Sequence, residues 1–271
     1  MASTPDAGGS AAFSQSLERG LLILSSFSEA RPVLGIADLS RAVSLNKSTT
    51  YRYVATLAKL GYVQQDPDTK KYSLGPRVVD LGFAAINSME ITRVAAQYLQ
   101  ALSDETGYTV SMAVLDGPDI VYVDRRRSGR ASNFAMGLNL HVGSRLPAYC
   151  TSMGKVLLAY REPAALRGLL DRTDFARRGP KTITAREQLM TALARVRLTG
   201  LAVNDEELAA GLRSVAAPVR DRSGRVVAAV NIAVHLTVWN ASVESVVSRL
   251  EIPLRHTVGE ISNRLGYRST I

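Results

Sequence analysis

Between Lys47 and Lys59 the chain gathers short hydroxyls and long cations on one side of a helix. Wound at 3.6 residues per turn, Ser48, Thr49, Tyr51, Arg52, Ala55, Thr56 and Lys59 fall together, with Lys47 at the start. Small hydroxyls and an arginine in the first turns of a helix are groups that read base edges in a DNA major groove. The helix's own N-terminal amides favour a phosphate, and Lys47 adds charge there. From Leu39 to Gln65 the basic residues are Arg41, Lys47, Arg52 and Lys59, with no acid among them. Lys70 and Lys71 follow in the next turn. A solvated face on a small helical pair is the plainer alternative, since this geometry also occurs away from DNA.

Three other constellations suggest chemistry and fail on their partners. Ser152-Met153-Gly154-Lys155 has the Ser-x-x-Lys form of penicillin-binding enzymes, but no Ser-Asp-Asn or Lys-Thr-Gly segment accompanies it. Cys150 would be a nucleophile only if folding brought His141 or His235 beside it; a buried structural cysteine is the expected reading. His141, His235 and His256 share no metal-ligand spacing with cysteine or acids. No glycine loop for a phosphate appears. No metal and no cofactor are expected, and no enzyme activity.

The elements that position the basic face are legible around it. Ile36, Leu39 and Val43 share one face of a short helix, and Thr50, Tyr53, Val54, Leu57 and Leu60 share one face of the next. Leu45 in the intervening turn plugs the corner. Gly61 stands where a left-handed cap ends the helix. Tyr62 to Gln65 and Lys71 to Leu74, around Asp66-Pro67-Asp68-Thr69-Lys70, form a hairpin wing. Leu17, Leu21, Leu24 and Phe27 mark an amphipathic first helix that completes a three-helix core. The whole is a winged helix-turn-helix, expected over residues 13–75 behind a disordered tail at 1–12. Pro76 opens a linker helix to about Asn87, within 76–90. Its Val78, Val79, Leu81, Phe83 and Ile86 are too apolar for a solvated linker; packing on its own domain is the plainer alternative, and pairing between two chains is the preferred reading.

Residues 91–271 read as a mixed α/β domain, making the chain α+β overall. A helix over Ile91–Thr106 precedes strands at Tyr108–Leu115 and Ile120–Arg125, joined at Asp116-Gly117-Pro118-Asp119. Ala131 to Val142 is a loop or short strand. A helix from Thr151 or Ser152 runs through Tyr160. Thr184-Ala185-Arg186-Glu187 has the form of a capping box for a helix to about Leu198. Leu201–Asn204 is a strand. Ser214–Arg220 and Arg225–His235 make a hairpin. A last helix follows Asn240, with Pro253 kinking it. Hairpin links make the sheet largely antiparallel, with helices flanking it.

Composition sets weaker bounds. The 271 residues suit two domains, and the net charge of +9 suits a polyanion. Only +2 of that charge lies in residues 1–85, so the motif and not the charge locates the DNA face. The single cysteine excludes an intrachain disulfide and a cysteine-rich zinc site. No secretory segment and no membrane-spanning apolar run is present, so a cytoplasmic protein without membrane contact is expected.

Two further segments carry a specific resemblance, His141 to Lys155 and Asn204 to Val219. With the winged segment, they make the chain resemble the IclR family of transcriptional regulators over about residues 15–265. Arg145 to Gly154 is most similar to the subgroup of PcaR, PobR and PcaU, which control catabolism of protocatechuate, 4-hydroxybenzoate and related compounds through the β-ketoadipate pathway. The resemblance implies a GAF-like effector domain, a double-stranded DNA operator as partner, homodimers joined through N-terminal domains and linker helices, and often homotetramers. It also implies a pocket for a small carboxylate, an aromatic acid or a β-ketoadipate-like acid. One wall is Thr151, Ser152, Met153 and Gly154, another is Asp205, and a third is Asn231 and Ala233. The first wall has its own physical support, because a helix N-terminus offers amides to an anion. Tyr149 and Met153 suit an apolar ring, and Ser214 offers a hydroxyl. Each has a plainer role open to it: Ser152 as a cap, Asp205 as an acid paired with arginine, Met153 as core. Gly35 at a helix start, and Tyr51 and Tyr53, depart from the family's usual residues, so no operator sequence carries over. Alternatives are a small-molecule enzyme or carrier with an accessory DNA-binding head, and a constitutive DNA-binding protein whose second domain only oligomerises.

Overall fold

A computed structural model describes residues 13–127, 140–240 and 242–268, and only the backbone at residues 83 and 86–88. The tail expected to be disordered, residues 131–139 of the expected loop, and the side chains of Phe83 and Ile86 lie outside the described residues. The chain divides into two compact units at Ser88/Met89.

The first unit holds α1 (Gln15–Ser25), α2 (Ile36–Ala42), α3 (Lys47–Lys59), a hairpin of β1 (Val63–Gln65) and β2 (Tyr72–Leu74), and α4 (Arg77–Ser88). Ile23, Phe27, Leu34, Leu39, Val43, Val54, Val63 and Tyr72 form its core. Leu34 exchanges two backbone hydrogen bonds with Tyr72, at 2.9 and 2.8 Å, and so ties the wing to the start of α2. Gly35 caps α2 without a side chain, and its N–H donates instead to Asp38 Oδ2 at 3.1 Å. Gly61, at φ +80°, ends α3 in the left-handed conformation that costs glycine least. The expected face of α1 is corrected. Ile23 and Phe27 are buried and Leu24 half-buried, while Leu17 and Leu21 are exposed. α1 carries two apolar stripes, and contact with α2 and α3 selects the one through Ile23. Leu60 is likewise exposed, because α3 has already ended there. Val79 and Leu81 of α4 are exposed too.

The second unit is built on one six-stranded sheet. In chain order it runs α5 (Glu90–Thr106), β3 (Thr109–Asp116), β4 (Asp119–Arg126), β5 (Arg145–Pro147), a 3-10 turn at Ala148–Cys150, α6 (Ser152–Ala159), α7 (Pro163–Leu170), α8 (Arg186–Thr199), β6 (Ala202–Asp205), β7 (Leu212–Arg220), β8 (Val226–His235) and α9 (Val243–Arg264). The strand order is β5-β4-β3-β8-β7-β6, every neighbouring pair antiparallel. α5 and α9 cover one face through Leu99, Leu102, Leu250 and Leu254 against Met112, Val230 and Ile232. α6 and α8 cover the other through Met153, Val156 and Leu193 against Ala113, Ala216 and Ala229. α7 and β5 were not expected from the sequence. The expected capping box is corrected: Ala185 is the N-cap of α8 and makes no side-chain cap, while Arg186 is held to Asp171 at 2.6 Å. Pro253 interrupts the hydrogen-bond ladder of α9, yet the helix continues past it.

α6 begins hard against the turn before it. A Cβ on Gly154 would stand 2.1 Å from the Ala148 carbonyl oxygen and 2.5 Å from Thr151 Oγ1, so only glycine fits. Gly154→Ala should therefore cost about 1–3 kcal/mol, the usual range for overpacking. Thermal unfolding measures it, and an unchanged melting temperature would show that this contact is not rigid.

Candidate functional site

The first unit presents the α3 face outward. Asn46 caps the helix by accepting from the Thr49 N–H at 2.8 Å. Thr50 is fully buried and returns its hydroxyl to the Asn46 carbonyl at 3.0 Å, so the inward face holds a polar group without an orphan. Lys47, Ser48, Tyr51, Arg52, Thr56 and Lys59 are exposed and Thr49 is half-buried. Tyr53, on the core side, points its hydroxyl at Ser16 Oγ across 3.3 Å and leaves the outward face clear. Arg41 is exposed but engaged by Asp38 on its own helix. Lys70 and Lys71 are exposed in the wing, whose turn is organised by Asp66 accepting from the Thr69 N–H at 2.7 Å and the Thr69 hydroxyl at 2.8 Å. Those bonds hold the Asp66 carboxyl below its ordinary range. The arrangement can lay hydroxyls and cations into a groove and a second pair of cations beside it.

The second unit brings part of the expected pocket together. Ser152 Oγ and Ser214 Oγ share a hydrogen bond of 2.7 Å, so Ser152 joins α6 to β7, while Thr151 is the cap, accepting from Gly154 N–H at 3.1 Å. Ala233 stands opposite Ser214, and Asn231 lies one step along β8 on the same face. Asn231 is 6% exposed, and its Oδ1 has no hydrogen-bond partner. The same strand register adds two residues that sequence reasoning missed. Ser111 stands opposite Asn231, and Arg125 stands opposite Ser111, with Arg125 Nη1 donating to Ser111 Oγ at 3.2 Å. Their signal was present as the alternation Thr109, Ser111, Ala113 on one face of β3, which puts hydroxyls where core residues are expected.

Other expected residues sit elsewhere. Asp205 pairs across the ladder with Arg213, whereas its neighbour Asn204 pairs with Ser214. Alternation therefore turns Asp205 away from Ser214, and its carboxylate binds Arg213 at 2.6 Å and Lys181 at 2.7 Å. Tyr149 is buried, stacks at a tilt on Phe175 with centroids 5.3 Å apart, and donates its hydroxyl to the Ala176 carbonyl. Met153 is fully buried in the core under α6. Ser152 and Lys155 do not form a dyad: the Lys155 ammonium donates to the Val203 carbonyl and to Glu207. Burial pushes the Glu207 carboxyl up against the opposing pull of Lys155. Burial, then the Glu207 charge, pushes the Cys150 thiol up to about 12, which leaves it protonated and unreactive at neutral pH. No cluster of histidine, cysteine and acids able to hold a metal exists among the described residues.

Two outcomes test this electrostatic reading. Burial works against ionisation of Asp205, yet the hydrogen bonds and charges of Lys181 and Arg213 hold its carboxyl below the ordinary range. A depressed folded value contributes stability that is present above the unfolded value and lost as pH falls through the folded one. Asp205→Asn should lower the melting temperature at neutral pH and flatten its loss below about pH 4. Equal acid sensitivity in both proteins would remove Asp205 from the network. Cys150 should resist a thiol reagent until the protein unfolds; labelling of native protein at the rate of a small-molecule thiol would contradict its burial.

Comparison with known proteins agrees with both units. Residues 16–67 match the family model of the IclR helix-turn-helix domain, and residues 83–263 match that of the bacterial transcriptional regulator IclR C-terminal domain. The chain is 40% identical over 224 residues to the Pca regulon regulatory protein of Pseudomonas putida, covering 83% of this chain and 75% of that one. It resembles the crystal structure of a transcriptional regulator from Rhodococcus sp. RHA1 at TM-score 0.79 and 40% identity, over 93% of this chain and 98% of the other. It also resembles an IclR homologue from Microbacterium hydrocarbonoxydans complexed with 4-hydroxybenzoate, at TM-score 0.78 and 25% identity, over 93% and 99% of the two chains. No described helix is long and apolar enough to cross a membrane. The chain is a DNA-binding regulator of transcription and not an enzyme, and it belongs to the IclR family.

Proposed function

We propose that this regulator controls genes for aromatic-acid catabolism of the protocatechuate and β-ketoadipate type, under command of a small carboxylic acid. The observation that carries the effector half is the buried polar row of the second unit. Thr109, Ser111, Asn231, Ser214 and Asn204 put polar groups on the sheet face under α6, and Ser152 meets them from the start of that helix. Hydroxyls and an amide in that position favour a polar ligand, and the first amides of α6, which have no intrahelical acceptor, favour an anionic one. The similarity to a Pca regulon regulator and to a 4-hydroxybenzoate complex supports the aromatic class.

The DNA half uses α3 for base edges and the wing lysines for the backbone. Exposed Phe13, Leu17 and Leu21 at α1, with Val79 and Leu81 on α4, favour a homodimer on a pseudo-palindromic operator. A homotetramer follows if the second unit also self-associates. Effector control requires that the two DNA-binding arrangements differ in affinity for the acid.

The test is binding of the protein to DNA from beside its own gene, with salt and a panel of acids titrated. One acid should shift operator affinity, and indifference to protocatechuate, 4-hydroxybenzoate and β-ketoadipate alike would overturn the aromatic assignment. Arg52→Ala should weaken operator binding by about 1–3 kcal/mol with the fold intact. Unchanged affinity would take Arg52 off the reading face. Lys47→Ala should reduce the slope of log affinity against log salt by about one on every sequence; an unaltered slope would exclude a phosphate contact.

A further inference from the structure

The ladder carries a cation into the buried polar row. Arg125, Ser111, Asn231 and Ala216 stand side by side on β4, β3, β8 and β7, and opposed residues of a sheet point to one face. Ala216 belongs to the core cluster under α6, so the row lies on the α6 face. Arg125 makes its hydrogen bond to the neutral Ser111 hydroxyl, and no acid pairs with it among the described residues. The carboxylate next along its own strand, Asp124, is taken by Arg126 in two bonds of 2.7 and 2.9 Å. Burial pushes the Arg125 guanidinium down from its ordinary value, so its charge is partly desolvated. Two strands away, Asn231 Oδ1 is buried without a donor.

Both features are costly alone. A guanidinium partly withdrawn from water favours an anion, and a buried amide oxygen needs a donor. A single ligand carrying a carboxylate and a hydroxyl relieves both, with the Arg125 fork matching the carboxylate and Asn231 accepting from the hydroxyl. We propose that Arg125 is the charge-recognising residue of the effector site and that, with Asn231, it selects a small hydroxy acid. The assignment rests on the effector reading above and extends it to a named cation that the sequence did not suggest. It also moves charge recognition from the helix start to the strands. Asp205, on the other face and engaged with Lys181 and Arg213, takes no part.

The experiment is calorimetric titration of the full chain with 4-hydroxybenzoate, benzoate, protocatechuate, β-ketoadipate and the neutral amide 4-hydroxybenzamide. The native protein should bind a hydroxy acid at least tenfold tighter than the amide. Arg125→Gln keeps a donor for Ser111 but has no charge. It should lose at least tenfold in acid affinity, leave amide binding unchanged, and melt near the native temperature without ligand. Arg125→Lys should fall between the two. Asn231→Leu should abolish any advantage of 4-hydroxybenzoate over benzoate. Equal native affinity for acid and amide overturns the assignment without any variant, as does undiminished acid binding by Arg125→Gln. Binding of β-ketoadipate alone leaves the regulator reading standing and removes the hydroxyl requirement. No binding of any acid in the panel overturns both readings.

Discussion

Every side chain on β3, β7 and β8 faces one of two layers, and a slip of one residue in their pairing would exchange the layers. The remainder of the second unit depends on that register. Val110, Met112, Val230 and Ile232 go to α5 and α9, and the polar groups opposed to them, Asp124 and Arg126 on β4, bind each other. Ser111, Asn231 and Ser214 go to α6, beside the small side chains of Ala216, Ala229 and Ala233. The burial of the polar row gives its hydroxyls and amide their energetic weight.

The first unit follows a different rule. Its outward face is free to be polar because the inward face needs nothing from it. Thr50 satisfies itself on the Asn46 carbonyl, Tyr53 turns its hydroxyl to Ser16, and Asn46 closes the helix start. Ser44 takes a left-handed conformation at φ 51° in the turn before α3, and the Ser40 hydroxyl bonds the Leu45 carbonyl to hold it. The reading face is thus positioned by capping and turn chemistry; on it, Thr56 returns its hydroxyl to the Arg52 carbonyl at 2.9 Å, and nearby Arg41 is engaged by Asp38.

Periodicity and turn residues made most of this visible in the sequence. α3, the wing and the β7–β8 hairpin all carry strong local signals: a basic face without acids, Gly61, and the Asp221 to Gly224 turn. What escaped is tertiary. α1 has two apolar stripes, and only contact with its neighbours decides between Ile23 and Leu17. Thr184 looks like a cap, but the helix begins one residue later. Asp205 looks like a pocket acid until the ladder pairs it with Arg213. Arg125 sits in a run of three arginines that reads as solvated charge, and only the register with Ser111 shows it directed toward the row beneath α6. Short local patterns fix elements, while the face a residue occupies across four strands is set by pairings far apart in the chain.

The absence of a side chain at Gly154 has a consequence for how such a scaffold diversifies. The Ala148 carbonyl occupies the space a Cβ would need, so position 154 at the start of α6 accepts no residue but glycine. The strand positions of the polar row already carry side chains, buried at Ser111 and Asn231. A different ligand would therefore have to be met by changed side chains on the strands, with position 154 kept as glycine.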